Sequence, residues 1–247
     1  MPLTRYKLTI EYDGTGYAGF QIQDDIKTVA GVVTNAIYNV SRESITLTCA
    51  GRTDSGVHAE GQIVHFDLNK NLEPYQIIEA INSHLKNEQV SIVNCEIVDE
   101  RFDARRSSKG KIYRYQILNR KTSSPLMHNR VWYMKTDLNI QAIQKAAKFF
   151  EGVHDFESFR TSGCQAKHAI RKIDYIQISK ANDLITIHVK GNAFVHNMVR
   201  IITGTLIEVG LGKIAADSIP DIFKARDRTK AGRTAPAAGL FLEQVLF

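Results

Sequence analysis

The chain has 247 residues, of which 43% are hydrophobic and 23% are charged, values that are typical of a globular protein and exclude wholesale disorder. Its formal net charge is +6, no apolar run is long enough for a membrane span, and the N-terminal MPLTRYKL lacks the apolar core of a secretory signal. The three cysteines, Cys49, Cys95 and Cys164, have no CxxC spacing, so neither a disulfide framework nor a zinc site is indicated. We expect a soluble, reduced, cytoplasmic protein.

The first half of the chain predicts a mixture of strands and helices. Residues 5–12 alternate apolar and polar side chains, which is the pattern of a half-buried strand. Residues 28–40 carry apolar side chains at helical spacing. We expect further strands at 45–50, 65–68 and 89–98, and an amphipathic helix at 73–86.

The second half repeats this mixture. Its patterns predict strands at 111–118, 170–179, 183–190 and 239–247, and helices at 137–152 and 193–210. The strands at 170–179 and 183–190 are expected to form a hairpin, and Gly152 is expected to end the first of these helices as its C′ residue. Because the elements do not alternate as regular βαβ units, the sequence predicts an α+β fold with a largely antiparallel sheet.

Basic residues are concentrated in one stretch near the middle of the chain. From Arg101 to Lys121 there are eight basic residues and one acid, Asp103. Tyr113 and Tyr115 lie within this stretch. Cations bind phosphates and an aromatic ring can stack on a base, so the stretch predicts a nucleic-acid-binding surface. A solvated basic face on a strand is the alternative interpretation.

Residues 14–19, GTGYAG, match the G-x-G-x-x-G pattern of dinucleotide-binding folds directly after a predicted strand. That fold also needs a helix opening at the third glycine and an acid at the end of the next strand. Here FQIQDD follows the glycines, and the next predicted strand runs into Ala-Gly-Arg. We therefore expect a glycine-rich loop or hairpin, with a dinucleotide-dependent oxidoreductase as a remote alternative.

Residues 49–62, CAGRTDSGVHAEGQ, place Asp54 between Arg52 and His58 on a glycine-rich stretch. Glu60 is the only other carboxylate nearby, which disfavours both a metal site and a glycosidase with two facing carboxylates. The stretch has no G-x-S-x-G elbow for a serine triad. From the residues alone, Asp54 is either a single catalytic carboxylate or, with Arg52, an ordinary turn residue.

Six segments of the chain together carry the pattern of one enzyme family. The first is GRTDSGVHA, and the others are YDGTGYAGFQ, FDAR…KIYRY, HDFESF, FVHNMVR and RTAPAAGL, at 51–59, 12–21, 102–115, 154–159, 194–200 and 233–240. They span nearly the whole chain in family order and closely resemble the bacterial tRNA pseudouridine synthase A family. One position departs from the pattern: Ile112 stands where many relatives carry a basic residue, so the basic surface is expected to be slightly thinner here.

The resemblance implies isomerisation of uridine to pseudouridine at positions 38, 39 and 40 in the anticodon stem-loop of tRNA. It also implies no metal or organic cofactor, no membrane partner, and a homodimer that grips tRNA between its subunits. The implied fold consists of two ferredoxin-like halves that form one extended, mostly antiparallel sheet, flanked by helices, with a central RNA-binding cleft. The expected halves are residues 1–105, with Asp54, and residues 106–247, with Tyr113, Arg200 and Leu240.

The resemblance also assigns roles to single residues. Asp54 matches the catalytic aspartate, which acts either as a nucleophile on C1′ or as a base on the 2′ proton. Tyr113 matches the tyrosine that stacks on the uracil, and Arg52 an arginine in the space of the flipped base. Leu240 is expected to pack against the target base, and Arg200 to pair with Asp54 and keep it ionised. The phosphate contacts are expected from Arg105, Arg106, Lys109 and Lys111.

His58 is expected to support the loop or to contact the RNA backbone, outside the catalytic set. The competing class is a non-catalytic RNA-binding protein, since ferredoxin-like lobes and basic strands also serve plain recognition. Asp54 discriminates between the two classes, because a carboxylate facing phosphates would only repel them in a protein that merely binds.

Overall fold

The computed structural model describes residues 3–161, 163 and 166–247, so that Cys164 lies outside the described residues. Two compact units are present: Met1–Lys109 together with Phe241–Phe247, and Gly110–Leu240. The first unit therefore includes the last seven residues of the chain. The division into halves at residues 105 and 106 stays a prediction. Within the described ranges, no helix is long and apolar enough to cross a membrane.

The fold is mixed α+β with mostly antiparallel strands, as the sequence predicts. The strands of the described residues are β1 Thr4–Tyr12, β2 Thr48–Cys49, β3 His58–Leu68, β4 Val90–Val98, β5 Gly110–Asn119, β6 Trp132–Met134, β7 Gly152–Asp155, β8 Ile170–Ala181, β9 Leu184–Gly191 and β10 Leu240–Leu246. The helices are α1 Val29–Ser41, α2 Pro74–His84, α3 Ile140–Lys148, α4 Met198–Gly210 and α5 Ile219–Ala225.

The first unit follows the order β1-α1-β2-β3-α2-β4 and is completed by β10, and its first six elements have the order of a ferredoxin-like unit. Strand β1 lies between β3 and β4 and is antiparallel to both. Strand β2 pairs with β3 in antiparallel orientation, near the end of β3, whereas β10 pairs with the start of β3 in parallel orientation. The start of β3 is therefore held between β1 and β10.

The predicted alternation of β1 is confirmed: its four buried side chains face the core of the first unit, and they are Tyr6, Leu8, Ile10 and Tyr12. Helix α1 begins after Thr28, whose side chain accepts the Gly31 N–H as an N-cap. Helix α2 begins with Pro74 and a capping box between Glu73 and Gln76. Both helices are predicted by the sequence.

In the second unit, β9 lies between β5 and β8 and is antiparallel to both. The predicted hairpin is confirmed, with Ala181 opposite Leu184 at its turn. Strand β7 extends this set beyond β8, and β6 runs parallel to the end of β5. Helix α4 is buried along most of its length, so it forms the core of this unit.

Several predicted boundaries are wrong. Helix α3 ends at Lys148, because the N–H groups of Phe149 and Phe150 donate to carbonyls three residues earlier instead of four. Gly152 is therefore not the C′ residue of this helix but the first residue of β7, with φ +100°. Helix α4 begins only at Met198, since the preceding Asn197 is left-handed with φ +61°. Strand β3 starts at His58 and is much longer than predicted, whereas β2 is shorter.

Candidate active site

Asp54 lies in the loop that joins β2 to β3. The Val57 N–H donates to the Asp54 carbonyl at 3.1 Å, which closes a turn, and Gly56 adopts φ +75°, a conformation that favours glycine. Arg52 is exposed, Thr53 is buried and Asp54 is half-buried. The loop thus holds the carboxylate in a defined turn and leaves part of it accessible.

Thr53 ties this turn to the sheet of the first unit. Its hydroxyl lies 2.7 Å from the hydroxyl of Tyr12, and the two residues are 6% and 3% exposed. The Tyr12 hydroxyl also hydrogen-bonds the Gln62 side chain, and burial raises the pKa of Tyr12. Gln62 in turn donates to the Gly51 carbonyl at 2.7 Å. The residues on the N-terminal side of Asp54 are therefore anchored to both β1 and β3.

The glycine-rich segment 14–19 packs directly against the Asp54 turn. A Cβ atom at Gly14 would lie 2.1 Å from the Val57 carbonyl oxygen, and one at Gly19 would lie 2.8 Å from the Thr53 carbonyl oxygen. The Ser55 hydroxyl donates to the Tyr17 carbonyl at 3.1 Å. No helix opens at the third glycine, so the predicted loop is confirmed and its glycines allow close packing of two backbones.

His58 is 1% exposed and braces the turn from its C-terminal side. Its ring stacks on Phe241 with centroids 4.6 Å apart. Nδ1 lies 3.0 Å from an Asp13 carboxylate oxygen and 3.1 Å from the Gly14 nitrogen. Nδ1 donates to the carboxylate only when it is protonated and accepts from Gly14 only when it is not. This burial favours loop support over contact with RNA.

Tyr113 and Tyr115 point to the same face of β5 in the second unit. Tyr113 is 8% exposed and packs edge-to-face on Phe194 with centroids 5.0 Å apart. Tyr115 is fully buried, and its hydroxyl donates to the Pro236 carbonyl at 2.7 Å. Burial raises the pKa of Tyr115. Tyr115 is therefore a core residue, and Tyr113 is the tyrosine of this pair that lies nearer to the surface.

Arg200 lies in the first turn of α4 and is half-buried. Its Nε donates to the Ala235 carbonyl at 2.8 Å and its Nη1 to the Asn197 side chain at 2.6 Å. These bonds fix the plane of the guanidinium group. Asp54 and Arg200 belong to different compact units, and their pairing stays a prediction.

Leu240 is buried at the start of β10. A Cβ atom at the preceding Gly239 would lie 2.7 Å from the Tyr115 ring. The backbone directly before Leu240 therefore packs closely against the core of the second unit. The role of Leu240 against a base is not tested by this packing and stays a prediction.

The four basic residues assigned to phosphate contacts occupy two different settings. Arg105, Arg106 and Lys109 are exposed in the segment that joins β4 to β5, and Lys111 is half-buried within β5. The alternative interpretation of residues 101–121, a solvated basic face on a strand, therefore applies only to the residues that lie within β5. Contact of these residues with phosphates stays a prediction.

Among residues 3–161, 163 and 166–247, no group of three or more histidine, cysteine, aspartate or glutamate side chains could hold a metal ion. Cys49 and Cys95 are free thiols, and burial raises the pKa of Cys95 to about 12.

Sequence reasoning missed the contribution of Tyr12 and Thr53 to the site. The available signals were the position of Tyr12 at the end of a predicted strand and the position of Thr53 directly before Asp54.

The chain is similar to one known protein family. The family model described as tRNA pseudouridine synthase matches residues 8–105 and 146–247. Three relatives named tRNA pseudouridine synthase A match almost from end to end. The protein of Bartonella bacilliformis is 40% identical and that of Bartonella tribocorum 42% identical, each over 98% of this chain and 99% of its own length.

The protein of Ruminiclostridium cellulolyticum is 45% identical over 99% of this chain and 100% of its own length. A chain from a crystal structure of a Cbf5-Nop10-Gar1 complex is 14% identical with a TM-score of 0.37, over 84% of this chain and 45% of that one, a likeness too low to support an inference about function. From the family match and the three relatives, it follows that this chain belongs to the tRNA pseudouridine synthase family, a family of isomerases.

Proposed function

We propose that this protein converts uridine to pseudouridine at positions 38, 39 and 40 in the anticodon stem-loop of tRNA, with Asp54 as the nucleophile or the general base. The observation that carries the proposal is the end-to-end match, at 40% to 45% identity, to relatives named tRNA pseudouridine synthase A. The half-buried carboxylate of Asp54, held in a braced turn beside the exposed Arg52, supports it.

The reaction breaks the N1–C1′ bond of uridine, turns the uracil, and joins C5 to C1′ with loss of the C5 proton to solvent. N1 gains a proton, so the atoms balance without an external reactant or a redox change. Asp54 has two possible roles: its carboxylate attacks C1′ to form a covalent intermediate, or it removes the 2′ proton to give a glycal. Either role needs one carboxylate whose position is fixed relative to the ribose.

A stem uridine is stacked and paired, so it must be flipped out before Asp54 can reach it, at a cost of a few kcal/mol. In the proposed complex Arg52 occupies the vacated space, Tyr113 stacks on the flipped uracil and Leu240 packs against it. Arg200 pairs with Asp54 and keeps it ionised. The tRNA backbone is bound by Arg105, Arg106, Lys109 and Lys111.

We further propose that the protein acts as a homodimer that holds tRNA between its subunits, and that it acts in the cytoplasm. Among the described residues the two cysteines, Cys49 and Cys95, are free thiols, which suits a reducing compartment.

The test is incubation of the purified protein with an unmodified tRNA transcript, followed by mapping of pseudouridine with carbodiimide and primer extension. We expect new stops that report pseudouridine at positions 38, 39 and 40 wherever these carry uridine, and none in a transcript that carries cytidine there. Modification elsewhere would contradict the assigned site. Binding of tRNA without modification would favour the non-catalytic RNA-binding protein instead.

A further inference from the structure

The segment between β4 and β5 is folded around the side chain of Asp103. One carboxylate oxygen of Asp103 accepts the backbone N–H of Arg105 and that of Arg106, each at 2.8 Å. The Asp103 N–H donates to the Ser107 hydroxyl at 3.1 Å, and the Ser107 N–H donates back to the Asp103 carbonyl at 2.8 Å. Five consecutive residues, 103–107, therefore form a closed turn with an arginine pair at its outer edge.

This turn is also attached to the sheet of the first unit. Ala104 is fully buried, and its N–H donates to Nδ1 of His65 on β3 at 3.1 Å. Arg5 on β1 donates to the Phe102 carbonyl at 2.8 Å while it forms a two-bond ion pair with Asp67, at 2.7 and 2.8 Å. The backbone on the N-terminal side of the arginine pair is thus fixed from two strands.

Arg105 and Arg106 are exposed, whereas the residue before them is fully buried. An arginine pair on an unstructured segment would lose backbone freedom on binding a phosphate backbone, and that loss reduces affinity. We propose that Asp103 is a positioning residue for tRNA binding: its carboxylate holds the backbone of Arg105 and Arg106 in the conformation that presents both guanidinium groups to phosphates. The inference rests on the proposed function and deepens it.

Positioning by Asp103 and simple charge repulsion predict opposite changes in tRNA affinity when the Asp103 carboxylate is removed. A carboxylate close to phosphates repels them, so simple electrostatics predicts that its removal tightens tRNA binding. Positioning predicts that binding weakens when the acceptor oxygen is lost. Asparagine separates the two effects, because Asp103→Asn removes the charge but retains an acceptor of the same geometry, and asparagine forms the same type of turn.

The experiment measures the Kd for tRNA, together with kcat and KM, from 50 to 200 mM salt for wild type, Asp103→Ala and Asp103→Asn. In Asp103→Ala we expect Kd and KM to rise about tenfold, with kcat at saturating tRNA within about twofold of wild type. The slope of log Kd against log salt should flatten by about one unit. Asp103→Asn should bind as tightly as wild type or slightly more tightly.

Glu100→Ala is the matched control for charge, since Glu100 is exposed in the same segment and its side chain makes no hydrogen bond with the described residues. It should bind tRNA as tightly as wild type or slightly more tightly. If Asp103→Ala does so as well, with an unchanged salt slope, the proposal is overturned.

If Asp103→Ala does not fold, Asp103→Glu replaces it, because glutamate keeps the charge but does not form this turn. Weaker binding by Asp103→Glu supports the positioning role, and wild-type binding overturns it. A wild-type protein that neither binds nor modifies tRNA would instead refute the proposed function, so the two failures are distinguishable.

Discussion

The hydroxyl of Tyr12 allows the Asp54 turn to be perturbed without any change to Asp54. It lies 2.7 Å from the hydroxyl of Thr53, the residue directly before Asp54, and both residues are buried. Tyr12→Phe removes this bond and the bond to the Gln62 side chain, and leaves the Thr53 hydroxyl without that partner, which should cost about 1–3 kcal/mol of unfolding free energy. For a chain of this size, we expect Tm to fall by about 2–12 °C.

The assay is pseudouridine formation at 25 °C, where both proteins are folded, with separate determination of kcat and KM for tRNA. A displacement of the carboxylate by a fraction of an ångström to one ångström should lower kcat by about tenfold to a hundredfold. KM should stay within about twofold of the wild-type value, because Tyr12→Phe leaves the basic residues in place.

Tyr6→Phe is the matched control. Tyr6 lies on the same face of β1 and is fully buried, but its hydroxyl donates to the Leu72 carbonyl at 2.9 Å and accepts the Leu72 N–H at 2.8 Å, at the far end of the strand. We expect a similar loss of Tm and an unchanged kcat. If Tyr12→Phe retains wild-type kcat, or if Tyr6→Phe loses as much, the idea that Tyr12 positions the turn is refuted.

Three further outcomes are expected. Replacement of both Arg105 and Arg106 by alanine should flatten the salt dependence of tRNA binding by about 1.5 in log–log slope, and an unchanged slope would favour a solvated basic face. Tyr113→Phe should retain tRNA binding, whereas Tyr113→Ala should weaken capture of the flipped base by about 1–3 kcal/mol; wild-type rates in Tyr113→Ala would remove this residue from the site. Burial lowers the pKa of His65 below its ordinary value of 6.5. The unfolded state therefore binds more protons, and the stability that His65 contributes at neutral pH is lost as the pH falls below about 6.5. Urea unfolding from pH 5 to 7 should show a smaller pH dependence in His65→Asn, and an identical dependence would contradict this.

The elements that the sequence predicts best are those with one face buried and the other exposed. Strand β1 is such a case, because its alternation survives along its whole length. Strand β3 is different: every residue from Gln62 to Phe66 is buried, so its apolar pattern does not alternate and only its end was recognised. The sequence predicts the start of α4 too early because Phe194 and Val195 extend the apolar pattern, whereas the left-handed Asn197 delays the helix until Met198.

The candidate site likewise has parts that the sequence predicts and parts that it does not. The motif around Asp54 identifies the loop and the family, because the chemistry depends on residues that are close together in the sequence. The supports of the loop depend on pairing between distant segments: Tyr12 and Thr53 are 41 residues apart, and no local pattern predicts their bond. The turn around Asp103 is local, and an aspartate placed two and three residues before two arginines was a readable signal for it.

Asp54→Asn tests the catalytic assignment most directly, because asparagine is nearly isosteric with aspartate but is neither an effective base nor an effective nucleophile. The measurement is tritium release from tRNA that carries 5-tritiated uridine, run beside wild type and Arg52→Lys, with tRNA affinity determined in parallel. We predict no release from Asp54→Asn, binding at least as tight as wild type, and slowed but detectable release from Arg52→Lys, which keeps the charge but loses the planar fork. Tritium release from Asp54→Asn at a rate near that of wild type would contradict the assignment of Asp54 as the catalytic carboxylate.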